Sequence, residues 1–283
     1  MKSKNLTTYC ITKGENDSLI KELNLKIIVG GAINKKFDFP DNWILDNSGH
    51  NISYKNQNFG TLTSLYWIWK NELDKYNDES WIAISHYRRF WLKENHEGII
   101  SPDNLNSNIL REIPDKYLNF DAFVAKPQNL TGYKFSKLFR KAKKNIINKP
   151  SILFNKKNHN IKLHFDMFHL YCGLEKAASV MDNSQKNDFL NYINNETELF
   201  SPFSIFILKK DKFKKLCEST FKWIDDCENI FDTEKLFGYG QIRIFDFLAE
   251  RYFSFWIKNN TNYKINPFVY FDPGINDKST IIQ

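Results

Sequence analysis

The amino-acid sequence predicts an α/β fold in which one mostly parallel sheet is flanked by helices, with a helical C-terminal part. Short segments rich in β-forming residues alternate with helical or loop segments, which is the pattern of parallel strands joined by crossovers. The predicted strands are Leu6 to Ile11, Leu25 to Val29, Trp81 to Ile84 and Ala122 to Ala125. The chain has 283 residues. A chain of this length buries about three quarters of its unfolded surface, so one domain over 1–283 is expected.

The helices are predicted from apolar side chains that recur at helical spacing. One helix covers Thr61 to Lys70, with Gly60 or Thr61 as its cap. Its apolar stripe is Leu62, Leu65, Tyr66 and Trp69. A second helix covers Lys212 to Cys227 and is predicted to be capped by Asp211. A third covers Gln241 to Lys258. Its core-facing residues are Ile242, Phe245, Ala249, Tyr252 or Phe253, and Trp256.

Cysteine usage and hydropathy bear on the compartment of the protein. The N-terminus has no apolar leader core and no run of eighteen apolar residues occurs, so neither a signal peptide nor a membrane span is predicted. The four cysteines are isolated, which is typical of reduced cysteines in a cytoplasmic protein and does not favour a zinc site. The formal net charge of +7 favours an anionic partner.

The segment from Trp81 to Phe90 is the strongest functional signal in the chain. An apolar strand ends there in His86, Tyr87, Arg88 and Arg89. Adjacent arginines beside a core are costly unless they meet something negative, and a phosphate-bearing ligand is the natural partner. The alternative is a pair of arginines held by ion pairs at a strand end.

A polar stretch over residues 46–60, rich in Asn, Ser and Gly, runs directly into the helix at Thr61. Such a loop leaves free backbone N–H groups and the positive end of the helix dipole, which favour a second anion contact. The alternative is an ordinary loop.

The polar stretch, the helix that follows it and the strand that ends in HYRR are together similar to segments of a known family. That family is the bacterial capsular and exopolysaccharide glycosyltransferases first described as a domain of unknown function. The resemblance follows a pattern like DNIS-x-KN, LT-x-LYW-x-WKN and HYRR. The matching positions are Asn51, Ile52, Ser53, Lys55, Asn56, Leu62, Thr63, Leu65, Tyr66, Trp67, Trp69, Lys70, Asn71 and residues 86–89. His50 and the pair Gly60-Thr61 depart from it. Weaker matches continue to the C-terminus, including the FLAER segment that ends at Arg251.

The resemblance implies an A-type glycosyltransferase-like fold, with 1–130 as the nucleotide-sugar-binding half and 131–283 as the helical, acceptor half. Ligands of such sheets lie at the carboxyl ends of the strands, where Thr8, Tyr9, Gly30 and Gly31 are expected beside HYRR. The expected donor-binding residues are Thr8, Tyr9, Gly30, Asn51, Ser53, Lys55, Asn56, Thr63 and Tyr87.

The chemistry expected at this site uses arginine where related enzymes use a metal. Many A-type glycosyltransferases hold a divalent metal with an Asp-x-Asp pair at the strand end where this chain has HYRR. His86, Arg88 and Arg89 are therefore expected to stabilise the departing nucleoside diphosphate directly, without a metal ligand set. The only cofactor expected is the UDP-sugar donor.

An inverting transfer also needs a general base, for which Glu250, His169 and Asp246 are the candidates. Glu250 is preferred because it lies in the FLAER segment. The alternatives are intrahelical ion pairs with Arg243 and Arg251 for the acids, and a hydrogen-bonded core position for His169.

Residues 134–144 form a basic amphipathic helix in the sequence pattern. Its cations are Lys134, Lys137, Arg140, Lys141, Lys143 and Lys144, and its apolar face is Phe135, Leu138, Phe139, Ala142 and Ile146. Such a helix suits an anionic membrane surface, where lipid-linked acceptors are found. The alternative is an ordinary surface helix.

These observations predict a hexosyltransferase that moves a sugar, galactose or galactofuranose by resemblance, from a UDP-sugar to a bacterial surface polysaccharide or lipid-linked oligosaccharide. The expected location is the cytoplasm, at the inner face of the cytoplasmic membrane. The alternatives are transfer of another activated group to a surface glycan, and a noncatalytic anion-binding or nucleic-acid-binding module. Nucleic acid is not an expected partner, because the aromatic residues lie at core spacing and no recognition motif occurs.

Overall fold

A computed structural model of the chain describes residues 5–14, 18–36, 38–96, 98–200, 202–271 and 279–282. The prediction that the N-terminus carries no leader peptide concerns residues 1–17, of which 1–4 and 15–17 lie outside these ranges. Among the described residues, no helix combines the length and the apolar character needed to cross a bilayer.

The strands confirm the predicted α/β class. They are β1 Leu6–Thr12, β2 Lys26–Val29, β3 Ile44–Leu45, β4 Trp81–His86, β5 Arg89–Trp91, β6 Ala122–Val124, β7 Gln128–Asn129, β8 Glu198–Leu199, β9 Phe206–Lys209, β10 Tyr263–Ile265, β11 Phe268–Phe271 and β12 Ser279–Ile282. The central sheet has the order β10-β6-β9-β4-β1-β2-β3 and is parallel except at β9, which runs antiparallel to β4 and β6. Strands β5, β11 and β12 extend it beyond the end of β4.

The helices lie in sequence between these strands. They are α1 Ser18–Lys21, α2 Asn56–Phe59, α3 Leu62–Asn71, α4 Pro102–Asn108, α5 Phe135–Lys141, α6 Lys143–Asn148, α7 Ile161–Phe168, α8 Gly173–Ala178, α9 Asn183–Asn195, α10 Lys210–Glu228, α11 Tyr239–Ile242 and α12 Ile244–Asn260. Because β9 and β10 come from 131–283, both segments of the chain contribute to one sheet.

Alternating side chains of the central strands place apolar residues on both faces of the sheet. On β4, Ile82 and Ile84 belong to the large core shared with α3, α10 and α12. Trp81 and Ala83 point to the opposite face, where they pack with β5 and β11. Burial on both faces explains why β4 is apolar throughout and does not alternate with polar residues.

Three predicted helix features are corrected by the structure. Helix α10 begins at Lys210, directly after β9, so Asp211 lies in its first turn and does not cap it. The helix predicted over Gln241 to Lys258 is interrupted at Arg243, whose φ and ψ are −87° and 36°. The basic helix is interrupted at Ala142 and forms α5 and α6.

Candidate active site

A cavity of about 790 Å³ opens at the carboxyl ends of β1, β2 and β4, the edge at which parallel sheets bind ligands. Its lining comes from the strand ends, from α2 and the start of α3, from the turn before β9, and from α11 and α12. The lining residues are Ile11, Thr12, Lys13, Gly30, Lys35, Asn56, Gln57, Gly60, Thr61, His86, Tyr87, Arg88, Arg89, Phe203, Ser204, Tyr239, Ile242, Arg243, Asp246, Phe247 and Glu250.

The HYRR segment forms a tight hairpin at this edge. His86 at the end of β4 pairs with Arg89 at the start of β5, and Tyr87 and Arg88 form the turn. The Tyr87 N–H donates to the carbonyl of Ile11 at 3.1 Å, which ties the turn to the end of β1. The hairpin therefore holds both arginines at the cavity.

Neither arginine is neutralised by the protein within the part of the chain that the structure describes. The Arg88 guanidinium stacks on the Tyr87 ring at 4.6 Å, and that of Arg89 lies between the rings of Phe203 at 4.1 Å and Tyr270 at 4.8 Å. The Nε atoms of both are buried without a hydrogen-bond partner. Because aromatic faces hold them and no ion pair to a carboxylate occurs among the described residues, the two cations are suited to bind an anion.

Burial has a measurable electrostatic consequence at Arg89. Loss of hydration lowers the pKa of its guanidinium, and the nearby Arg88 charge lowers that pKa further, while Tyr270 and Glu250 act in the opposite sense. A buried cation in this condition destabilises the empty site and is stabilised when an anion enters.

His86 is neutral in this setting. Burial and the charges of Arg89 and Arg243 lower the pKa of its imidazole to about 3, against the effect of a hydrogen bond to Phe203. The ring lies 3.0 Å from the Phe203 carbonyl through Nε2, so Nε2 carries the proton and donates. Nδ1 is then only an acceptor, and the donation from His86 to a diphosphate that the sequence suggested is not supported by this geometry.

The turn before β9 is strained beside the cavity. Phe203 and Ser204 have φ values of 69° and 54°, in the left-handed region that non-glycine residues rarely adopt. The Phe203 carbonyl accepts from His86, and its N–H donates to Glu250 Oε1 at 2.6 Å. Such strain is typical of functional positions.

The two carboxylates of the cavity, Glu250 and Asp246, differ in the partners of their oxygen atoms. Glu250 accepts from Phe203 with one oxygen and pairs with Arg251 through the other, so both oxygens have partners. Asp246 accepts the N–H and hydroxyl of Thr61 through Oδ1, and its Oδ2 lies 3.4 Å from Arg243. Burial raises the pKa of the Asp246 carboxyl, against the lowering effects of Arg243 and Thr61.

A glycine permits this approach of α12 to α3. Gly60 has a φ of 52°, and a Cβ at that position would lie 2.2 Å from both Asp246 Oδ2 and Arg243 Nη2. Any side chain there would displace the acid from the cavity edge. Of the pair Gly60-Thr61, Gly60 leaves the space that Asp246 occupies, and Thr61 hydrogen-bonds the Oδ1 of that acid.

His169 lies outside the cavity lining and is fully engaged. Arg251 donates to its Nε2 at 3.2 Å, and its Nδ1 donates to the Gly240 carbonyl at 3.0 Å. Burial and the Arg251 charge lower the pKa of the ring to about 2. This geometry matches the alternative in which His169 is a hydrogen-bonded structural residue. It does not place His169 as a general base at the cavity.

Most of the predicted loop residues form a scaffold around a buried acid. Asp46 accepts the N–H groups of Gly31 at 2.8 Å and Ala32 at 2.9 Å, and the hydroxyls of Ser53 at 2.5 Å and Thr63 at 2.6 Å. The carboxyl group connects the end of β2 with the polar loop and α3. Ser53 and Thr63 are fully buried by these contacts and do not reach the cavity.

The remaining predicted donor-binding residues divide between the cavity and the framework. Asn51 bonds to backbone groups of its own loop, and Lys55 pairs with Glu228 at 2.6 Å on α10. Asn56 lines the cavity beside Gly30, and its amide donates to the Gly60 carbonyl and the Thr63 hydroxyl, both at 2.8 Å.

Thr8 and Tyr9 lie short of the cavity because β1 continues to Thr12. The Tyr9 hydroxyl bonds to Glu72 and Tyr76 in the interior. The cavity is instead lined by Ile11, Thr12 and Lys13, about three residues after the positions that the sequence predicted.

The Asp46 scaffold leads to a stability prediction. Asp46→Ala is expected to lower the free energy of unfolding by about 3–5 kcal/mol, because it leaves two buried N–H groups and two buried hydroxyls without their acceptor. Urea denaturation measures the change. The matched control is Asp41→Ala at an exposed position, expected within about 0.5 kcal/mol of the native value. A loss at Asp46 as small as that of the control would contradict the role assigned to this acid.

The described residues contain no group of three or more His, Cys, Asp or Glu side chains placed to hold a metal ion. Of the two acids that line the cavity, Glu250 has partners on both oxygens, and Asp246 has Thr61 on Oδ1 and Arg243 at 3.4 Å from Oδ2. That sugar transfer needs no divalent metal stays a prediction.

A family model described as a domain of unknown function, DUF4422, matches residues 8–261. The chain belongs to the DUF4422 family. This confirms membership of a family first described as a domain of unknown function, whereas the motif pattern and the capsular role stay predictions. No curated protein matches the chain significantly in sequence.

One solved structure shares the fold of this DUF4422 chain. It is the apo structure of WbbM, described as a bifunctional glycosyltransferase, with a TM-score of 0.65 and 17% identity. The similarity covers 93% of this chain and 44% of that one, so the chain spans less than half the length of WbbM. The likeness confirms the predicted A-type glycosyltransferase-like fold.

Proposed function

We propose that the chain is a glycosyltransferase that moves a sugar from a UDP-sugar to a bacterial surface polysaccharide or lipid-linked oligosaccharide. The observation that carries the proposal is the pair Arg88 and Arg89, held by aromatic rings at the carboxyl end of the central strand and unpaired with any carboxylate among the described residues. The fold shared with a bifunctional glycosyltransferase supports it. Galactose or galactofuranose rests on the family resemblance alone.

In the proposed reaction the acceptor hydroxyl oxygen attacks the anomeric carbon of the donor sugar. The bond from that carbon to the diphosphate oxygen breaks, and its electron pair leaves with UDP. Arg88 and Arg89 bind the diphosphate oxygens as charge builds on them, at about 1.5–3 kcal/mol for each charged hydrogen bond. The arginines supply the positive charge that a metal supplies elsewhere, so the proposed transfer needs no divalent ion.

Asp246 is the group proposed to accept the proton of the attacking hydroxyl in an inverting transfer. Its Oδ2 lies 3.4 Å from Arg243, and burial raises the pKa of the carboxyl, which makes the carboxylate a stronger base. Glu250, the first choice from sequence, is assigned to positioning because Phe203 and Arg251 occupy its two oxygens.

Thermal-shift measurements with UDP-, GDP-, CMP- and dTDP-sugars test the donor class. UDP-sugars are expected to raise Tm, and the shift is expected to persist in chelator because arginines replace the metal. A shift that needs Mg²⁺ or Mn²⁺ would contradict metal independence. Equal shifts with all four classes would contradict the assignment of uridine, and no shift with any of them would remove the glycosyltransferase proposal.

A further inference from the structure

The positive charge of the chain is concentrated in residues 134–157, here called the basic segment. This segment contains no Asp or Glu. Its cations are Lys134, Lys137, Arg140, Lys141, Lys143, Lys144, Lys149, Lys156 and Lys157. The whole chain has a net charge of +7, so the residues outside the segment are net negative. The charge is therefore a property of one surface and not of the molecule as a whole.

The basic segment also exposes large apolar side chains. The sequence places Phe135 and Phe139 on the apolar face of the predicted basic helix, and in the structure both are more than half exposed. Ile147 on α6 is 77% exposed and Phe154 is 82% exposed. The Phe135 and Phe154 rings come from different elements and lie 6.5 Å apart, so they form one apolar surface.

The chemistry of this surface matches an anionic bilayer. Large apolar side chains are rarely exposed together on a monomer without a partner. Aromatic rings insert at the level of the lipid head groups, and surrounding lysines gain from the negative surface potential of anionic lipids. Because no acid lies in the segment, nothing within it opposes that attraction.

The basic segment lies close to the candidate active site. Lys137 and Lys141 of α5 lie over the Phe168 ring, at 4.9 Å and 5.4 Å. The next residue, His169, stacks at 3.9 Å on Phe247, which lines the cavity. A bilayer bound by the basic segment would therefore lie beside the cavity.

We propose that the basic segment docks the protein on a bilayer that contains anionic phospholipids. If the function proposed above is correct, docking brings a lipid-linked acceptor to the cavity. The docking itself requires only the exposed phenylalanines and the cations of the segment.

Co-sedimentation with vesicles tests the docking. The protein is expected to bind vesicles of phosphatidylcholine with phosphatidylglycerol and not vesicles of phosphatidylcholine alone. A variant with Lys143, Lys144, Lys156 and Lys157 changed to Gln is expected to lose at least tenfold in partition, and so is Phe135→Ser/Phe139→Ser/Phe154→Ser. The matched controls change other exposed residues: Lys21, Lys214, Lys215 and Lys222 to Gln, and Tyr54 and Ile99 to Ser. These controls are expected to bind as the native protein does.

Unchanged binding in both segment variants, or equal losses in the controls, would overturn the docking proposal. Preferential binding to RNA or to an acidic peptide over the anionic vesicles would also overturn it, in favour of that partner. The UDP-sugar thermal shift, measured on the same variants, is expected to stay at the native value. Vesicle binding without any nucleotide shift would refute the proposed function alone, and a nucleotide shift without vesicle binding would refute the docking alone.

Discussion

Replacing Arg88 and Arg89 with methionine is expected to remove most sugar transfer while leaving the protein at least as stable as the native chain. The two guanidiniums each contribute about 1.5–3 kcal/mol to binding the diphosphate charge. Their joint loss lowers kcat/KM by about 10²–10⁴-fold, at 1.4 kcal/mol for each factor of ten.

The free energy of unfolding is not expected to fall, because the arginines destabilise the site when no anion is bound. Arg89 lies half-buried between Phe203 and Tyr270, and its buried Nε has no partner among the described residues. Methionine keeps the apolar contact with these rings and removes the desolvated charge. Urea denaturation of the apo protein is therefore expected to give a free energy of unfolding equal to or above the native value.

The two readouts together decide between an anion site and a structural ion-pair cluster. The matched control is Lys222→Met on the exposed side of α10, which is expected to leave donor binding and kcat/KM unchanged. If Arg88→Met/Arg89→Met unfolded more easily than the native chain and kept its donor binding, the arginines would be structural after all.

Asp246→Asn is expected to lower kcat by about 10²–10⁴-fold, the range for loss of a general base, with little change in KM for the donor. Asparagine keeps the acceptor oxygen for Thr61 but cannot take a proton. Because burial raises the pKa of the native carboxyl, the acid limb of the native activity profile is expected above pH 3.8, with activity lost as pH falls and the group protonates. Steady-state rates against pH measure both effects.

Glu250→Gln separates the base from its positioning neighbour. Its amide can still accept from the Phe203 N–H, but the negative partner of the buried Arg251 is lost. We expect lower stability with a smaller fall in kcat than in Asp246→Asn. A larger fall in kcat for Glu250→Gln, at native stability, would return the role of base to Glu250.

Local patterns in the chain were sufficient to predict the strands β1, β2, β4 and β6 and the position of the HYRR segment at the end of β4. The strand from Trp81 is identified by its own residues, since burial on both faces requires an apolar run. Arg88 and Arg89 follow it directly, so their place at a sheet edge depends only on short-range order. Glu250 and Asn56 both line the cavity, Glu250 from a helix that the sequence predicted by its periodicity and Asn56 from the polar stretch before Thr61.

Other parts of the site involve contacts between residues far apart in the chain. Asp46 reaches Thr63 and Gly31, and Phe203 links His86 with Glu250. The polar loop carried the hydrogen-bonding residues that the sequence assigned to a donor, but a buried carboxyl group nearby takes up Ser53 and Thr63. Proximity in three dimensions decides which donor pairs with which acceptor. A pattern of residues along the chain does not contain that information.

By itself the sequence determined the α/β class, the position of the HYRR segment and the concentration of positive charge at 134–157, because periodicity, strand length and charge are local properties. Only the tertiary structure decided that β1 runs on to Thr12, that Asp246 is placed at the cavity by Gly60, and that Phe135 is exposed. Each of these depends on where a neighbouring element ends or packs, and packing is settled only when distant segments meet.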